Sequence, residues 1–187
     1  MEIEMNSGNR SIFPSARSTF FVLVAAALIS LAGAFAFMYS GLYDVSAASG
    51  HNPLVAWFLH ATYEQSLHRH AKNVHVPADL MTTANVEAGA RLYQSTCVLC
   101  HGAPGQPLSP IGQGILPLAP NLLGATRRNN PQLMYWVIRN GVKMTAMPAF
   151  GKTHDDAQLW QIASFLYQAR GISPHDYEKM TASGSGK

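Results

Sequence analysis

The chain has 187 residues, 48% of them hydrophobic and only 12% charged, with a net charge of +3 and a pI near 9.0. Its basic residues form no dense run, so nucleic-acid binding has no electrostatic footprint here. Two cysteines cannot build a disulfide framework, and once an apolar N-terminal stretch is set aside the remainder amounts to one domain's worth of chain.

Residues 1–19 read as a short cytoplasmic N-terminus and 20–43 as a transmembrane anchor. Phe20 to Tyr39 is twenty residues without a charge, and a helix of that length rises about 30 Å, the thickness of the hydrocarbon core. Arg10 and Arg17 precede it and Asp44 follows it, so the positive-inside rule places the N-terminus in the cytoplasm and everything after Tyr43 outside. Tyr39 and Tyr43 suit an aromatic belt at the outer face. A cleaved signal peptide competes with this reading, but its apolar region usually runs about 7–15 residues. An uncleaved, single-pass anchor in a bacterial inner membrane is the expectation, with the rest of the chain in the periplasm.

Residues 44–83 form a connector. Leu54, Trp57, Phe58 and Ala61 recur at helical spacing, Pro53 suits a first turn and Pro77 lies past the end, so an amphipathic helix is predicted from Pro53 to about Lys72. Its apolar stripe could lie on a bilayer, on the following domain or on a partner subunit. The histidines His51, His60, His68, His70 and His75 suggest a metal site or a pH-responsive contact on one reading and solvated or partner-facing side chains on the other.

Residues 84–171 form the main domain. A first helix with Asn85 as N-cap carries Val86, Ala90 and Tyr93 and delivers the chain to Cys97-Val98-Leu99-Cys100-His101. Gly89 within it costs about 1 kcal/mol relative to Ala, which points to a close helix crossing. Two cysteines three apart, with a histidine directly after the second, is the attachment spacing of a c-type haem. Each thiol can form one thioether link, and His101 then falls where its imidazole can ligate the iron. A structural zinc site needs four protein ligands, and the chain has no further cysteine to supply them. In bacteria a c-type haem is attached outside the cytoplasmic membrane, where the anchor delivers this motif.

A proline- and glycine-rich stretch from Gly102 to Gly124 can wrap a flat prosthetic group. A helix from Pro131 to Asn140 follows, with Asn130 as N-cap and Gly141 past its end. The last helix is expected to start at Thr153 in a Thr-x-x-Asp capping box and to end near Arg170, with residues 172–187 a flexible tail. Between these helices lies Lys143-Met144-Thr145-Ala146-Met147-Pro148-Ala149-Phe150. A thioether is a soft iron ligand that raises the haem potential opposite histidine. Met147 is preferred because proline follows it, Met144 is the alternative, and the other methionine is expected to fill a gap in the core.

With CVLCH early and MPAF late, the region from Asn85 to Gly171, roughly half the chain, resembles a class I c-type cytochrome. The resemblance implies an all-α haem domain, here behind a transmembrane helix and an amphipathic connector helix. It implies one covalent haem c on Cys97 and Cys100, with His101 as proximal and Met147 as distal ligand. The family also has a proline whose carbonyl holds the ligand histidine's ring N–H, and Pro120-Asn121-Leu122 matches it best. The long Gly102–Pro120 loop and the histidine-rich connector depart from the family pattern.

The function expected is one-electron transfer in a respiratory chain, as a tethered carrier or as a fixed subunit of a larger membrane oxidoreductase complex. An enzyme or gas sensor with an open iron site is the competing class. Arg127, Arg128, Arg139, Lys143 and Lys152 outnumber Asp155 and Asp156 around the haem-lining segments, so redox donors and acceptors with acidic docking faces are the expected partners.

Overall fold

A computed structural model describes residues 15–182, and the expectations for residues 1–14 and for the terminal 183–187 lie outside the described residues. The chain divides into two units, Met1–Ser46 and Ala47–Lys187.

The first unit is helix α1, Ala16–Ser40. Ser15 opens it by accepting the Ser18 N–H at 3.2 Å, and Gly41, at φ 68°, closes it in the left-handed conformation that glycine adopts without penalty. Mean hydropathy reaches 2.5, and the helix is long and apolar enough to cross a membrane. It begins four residues before the apolar run because Ala16 to Thr19 propagate from the Ser15 cap.

The second unit contains helices α2 (Pro53–Ala71), α3 (Thr83–Thr96), α4 (Val98–His101), α5 (Pro110–Gly114), α6 (Pro131–Asn140), α7 (Asp156–Gln168) and α8 (Pro174–Ala182), with a 3₁₀ turn at Phe150–Lys152. No β-strand forms among the described residues. Its core lies where α3 crosses α7. Val86, Ala90 and Tyr93 from one helix meet Leu159, Ile162, Ala163, Phe165 and Leu166 from the other. The crossing is close at Gly89, where a Cβ would sit 2.0 Å from the Gln161 carbonyl oxygen. Helix α6 closes a second side, with Tyr135 stacked on Trp160 at 4.0 Å.

Asn129 joins these layers. It is fully buried, and its amide donates to the carbonyls of Leu122 and Leu166 at 2.7 Å each. Asn129→Ala leaves both acceptors buried without a donor, so it is expected to cost about 2 kcal/mol or more of unfolding free energy in denaturant titration.

Three expectations are corrected. Thr82 rather than Asn85 caps α3: Thr82 has the extended backbone a cap requires, while the Asn85 side chain donates to the Asp79 carbonyl at 2.9 Å. Helix α7 starts at Asp156, not Thr153, because Asp155 and Gln158 form a reciprocal capping box, and it ends at Gln168.

The third correction concerns the expected flexible tail from residue 172. Pro174–Ala182 is a helix, and its Tyr177 is buried at 6.4 Å edge-on to Tyr93, with its hydroxyl donating to Gln94 Oε1 at 2.6 Å. Burial pushes the phenol of Tyr177 up to about 12 and that of Tyr93 higher still. The protonated phenols therefore stabilise the fold fully below the ordinary value of about 10, and that contribution fades as pH rises toward 12. The stability advantage of the parent chain over Tyr177→Phe is accordingly expected to shrink across that window, as read by denaturant midpoints.

The connector helix has two unlike halves. Leu67 and Ala71 are buried, the His70 ring lies tilted against Trp136 with centroids 5.8 Å apart, and the Gln132 amide donates to the Lys72 and Val74 carbonyls at 3.2 and 2.8 Å. Farther along, the buried Ser164 hydroxyl donates to the Leu80 carbonyl at 2.8 Å. The second half of α2 and the segment after it are thus part of the domain, not a spacer in front of it. Leu54, Trp57 and Phe58, the expected stripe of the first half, are exposed. Among the described residues no three His, Cys, Asp or Glu side chains gather as metal ligands; His70 Nδ1 bonds to the Ser66 carbonyl and His68 faces Glu64 at 3.7 Å.

Candidate haem site

Helix α3 runs directly into the cysteine motif. Cys97 ends it by donating its N–H to the Tyr93 carbonyl at 2.8 Å, and α4 is the single turn that follows. Residues three apart on one turn share a face, so Cys97 and Cys100 point the same way. Gly102, at φ 71°, turns the chain out of α4, and its carbonyl accepts the buried Tyr93 hydroxyl at 2.8 Å. Below the turn, Ser109 donates to the Leu99 carbonyl, and a Cβ on Gly112 would approach the Leu99 and Cys100 carbonyl oxygens at 3.0 and 3.1 Å. Helix α5, absent from the sequence expectation of an irregular loop, is therefore packed against the motif.

His101 Nδ1 lies 2.9 Å from the Pro120 carbonyl oxygen. A carbonyl only accepts, so the ring proton sits on Nδ1 and Nε2 keeps a free lone pair. Burial lowers the His101 pKa, the Pro120 bond opposes this, and the Arg127 guanidinium lowers it further. The neutral imidazole that metal ligation requires is the favoured form.

Both cysteines are free thiols. Cys97 is buried, and that burial, with Cys100 beside it, pushes its pKa up to about 12. A reactive redox cysteine has the opposite shift. Large apolar side chains on and beside the motif, Leu99, Ile111 and Leu118, are exposed. Two free thiols on one face, an imidazole with Nε2 available, and uncovered apolar surface together fit a covalently bound porphyrin.

Met147 is partly buried against the core, with its N–H on Thr145 Oγ1 at 3.1 Å and its carbonyl accepting the Val142 N–H at 3.1 Å. Met144 is 89% exposed at φ 58°, which corrects the expectation that the second methionine fills a core gap. The segment around Met147 is braced from behind by glycine. A Cβ on Gly141, at φ 65°, would meet the Met147 carbonyl oxygen and the Pro148 and Ala149 backbone at 2.6–2.7 Å. Sequence reasoning found Gly141 only as a helix terminator and missed this second use, as it missed the hydroxyl bond of Tyr93 and the roles of Gly112 and Asn129. For Tyr93 and Asn129 the partners are distant in the chain or on the backbone, which leaves no pattern to find.

A family model described as cytochrome C oxidase, cbb3-type, subunit III matches residues 84–166, from α3 to near the end of α7. Residues 84–166 form a class I c-type cytochrome domain. No curated protein and no solved structure matches the chain. A cytochrome c domain carries covalently bound haem c and works by haem-based electron transfer, which points to an electron carrier rather than an enzyme.

Of the five cations expected around the haem-lining segments, Arg139 is committed elsewhere. It pairs with Asp156 and donates to the Tyr135 hydroxyl at 2.8 Å. Arg128 is exposed, and Arg127 is half-buried and near enough to influence His101.

Proposed function

We propose that this chain is a membrane-anchored, mono-haem c-type cytochrome that passes single electrons on the periplasmic side of a bacterial inner membrane, within a respiratory chain. Cys97 and Cys100 hold the haem by thioether bonds, and His101 ligates its iron through Nε2. The observation that carries this reading is the His101 Nδ1–Pro120 bond at 2.9 Å, next to two free cysteines on one turn. It supports an imidazole that is neutral and oriented as an iron ligand before the metal is considered.

Haem c supplies a one-electron Fe(III)/Fe(II) couple when bound. Met147 would supply the second protein ligand to the iron, supported by its partial burial and by the glycine-backed segment that carries it. With both positions taken, no place remains for substrate, O₂ or peroxide. Arg127 and Arg128 steer partners with acidic faces. Reversing both to Glu is expected to slow association with an acidic redox partner and to flatten its salt dependence in stopped-flow kinetics; unchanged rates would remove these residues from the docking face.

The test is expression in a host competent for export and cytochrome maturation. Intact mass and the pyridine haemochrome spectrum should give one covalent haem per chain, and the ferrous protein should bind CO only after denaturation. No bound haem overturns the reading, and ready CO binding overturns the Met147 assignment.

A second reading, a fixed cytochrome subunit of a larger membrane oxidoreductase, is favoured by the description of the matching family, which is an oxidase subunit. Purification in mild detergent separates the two, because a fixed subunit brings stoichiometric partner chains with it.

A further inference from the structure

We propose that the first half of α2, Leu54 to Leu59, lies in the lipid–water interface as a second membrane contact of this chain. The proposal rests on reading α1 as a membrane anchor.

The two halves of α2 differ in what they touch. The second half is docked on α6. In the first, Leu54 is 71% exposed, Trp57 67% and Phe58 62%, with Val55 and Leu59 also exposed. At about 100° per residue these five side chains form one wide apolar face over roughly half of the helix circumference, with Ala56 and His60 on the remainder. Contiguous exposed apolar surface of this kind marks an interaction site.

Several observations favour lipid as the occupant. Between Arg17 and Glu64 the only formally charged residue is Asp44, so the uncharged character of the anchor continues through the link and into α2. From Pro53 to Ala61 the only side chains able to hydrogen-bond are His60 and, through its indole N–H, Trp57. Protein interfaces carry about one hydrogen bond per 100–200 Å², and this surface offers almost nothing to make one with. Trp57 is the residue type that settles at headgroup level. The link from Gly41 to Asn52 is twelve residues, which span at most about 40 Å, so the start of α2 stays within reach of the surface where α1 emerges.

The start of the helix is capped within the chain. The Asn52 side chain accepts the Leu54 N–H at 2.9 Å, and Pro53 occupies the first turn. Because the second half of the same helix is docked on the haem domain, a first half seated in lipid fixes which face of that domain looks along the membrane. The domain is then an oriented electron carrier, not one swinging on a flexible tether.

The experiment uses the full-length holoprotein in phosphatidylcholine vesicles that contain a phosphatidylcholine with an acyl-chain diazirine. After photolysis, lipid adducts are mapped by mass spectrometry. Adducts are expected on α1 and on residues 54–59, with none on the exposed Gln94 and Ser95 of α3. The substitutions Leu54→Glu and Phe58→Glu, at exposed positions the fold does not use, are expected to abolish the adducts on 54–59 and leave those on α1. Adducts on α1 with none on 54–59 overturn the proposal while the anchor stands, and that result includes coverage of this face by a second copy or another protein. The absence of adducts on α1 overturns the anchor, and the proposal falls with it.

Discussion

Gly89→Ala is expected to lower the unfolding free energy of the holoprotein by about 3 kcal/mol, the upper part of the usual range for overpacking a core. The sign is what makes the measurement decisive. At a solvent-facing helical position the same change would stabilise by about 1 kcal/mol through helix propensity alone. Here a Cβ would meet the Gln161 carbonyl oxygen at 2.0 Å and the Phe165 Cβ at 2.8 Å. Backbone cannot rotate away as a flexible side chain can, so α3 and α7 must separate. Phe165 and its neighbours Leu159 and Ile162 are fully buried in that crossing, and so is Tyr93, which holds the Gly102 carbonyl beside the haem motif. A loss of haem incorporation is therefore expected alongside the loss of stability. Guanidinium unfolding followed by circular dichroism reads the first effect, and the haem-to-protein absorbance ratio reads the second. Unchanged or increased stability would mean the helices do not cross as closely as described.

Met147→Ala is expected to convert the ferrous protein into one that binds CO without denaturation, and to lower its reduction potential by on the order of 0.1 V or more, within the roughly 0.8 V range that axial ligands span. Met144→Ala is expected to change neither. The two methionines are close in sequence and chemically identical, so the contrast between them isolates position. Met147 is packed against the core on a segment backed by Gly141, whereas Met144 stands in solvent. If Met144→Ala were the variant that bound CO, the assignment would be reversed.

Features made by neighbours in the chain were legible in the sequence. The uncharged run of α1, the cap and proline that open α6, the spacing of Cys97, Cys100 and His101, and the helix-crossing role of Gly89 all depend on periodicity or on a single residue's conformational range. Capping was less legible because several candidates compete within a few residues. Thr82 and Asn85 both qualify by type, as do Thr153 and Asp155, and backbone geometry selects between them. Helix α8 shows the limit most clearly. Its segment is short and polar, with a weak apolar pattern, and what secures it is Tyr177 entering a site shared by Tyr93 and Phe165, about eighty and twelve residues earlier in the chain.

The sequence by itself determined the class of this molecule: one membrane-length helix, then an all-helical domain with a haem-attachment motif. Those properties follow from composition and from spacings of three to four residues, which act within one turn of chain. Only the tertiary structure decided that Met144 is in solvent while Met147 is against the core, that α2 is half docked and half uncovered, and that His101 faces the Pro120 carbonyl at 2.9 Å. Burial and hydrogen-bond partners arise where segments distant in sequence meet, and no local pattern encodes that meeting.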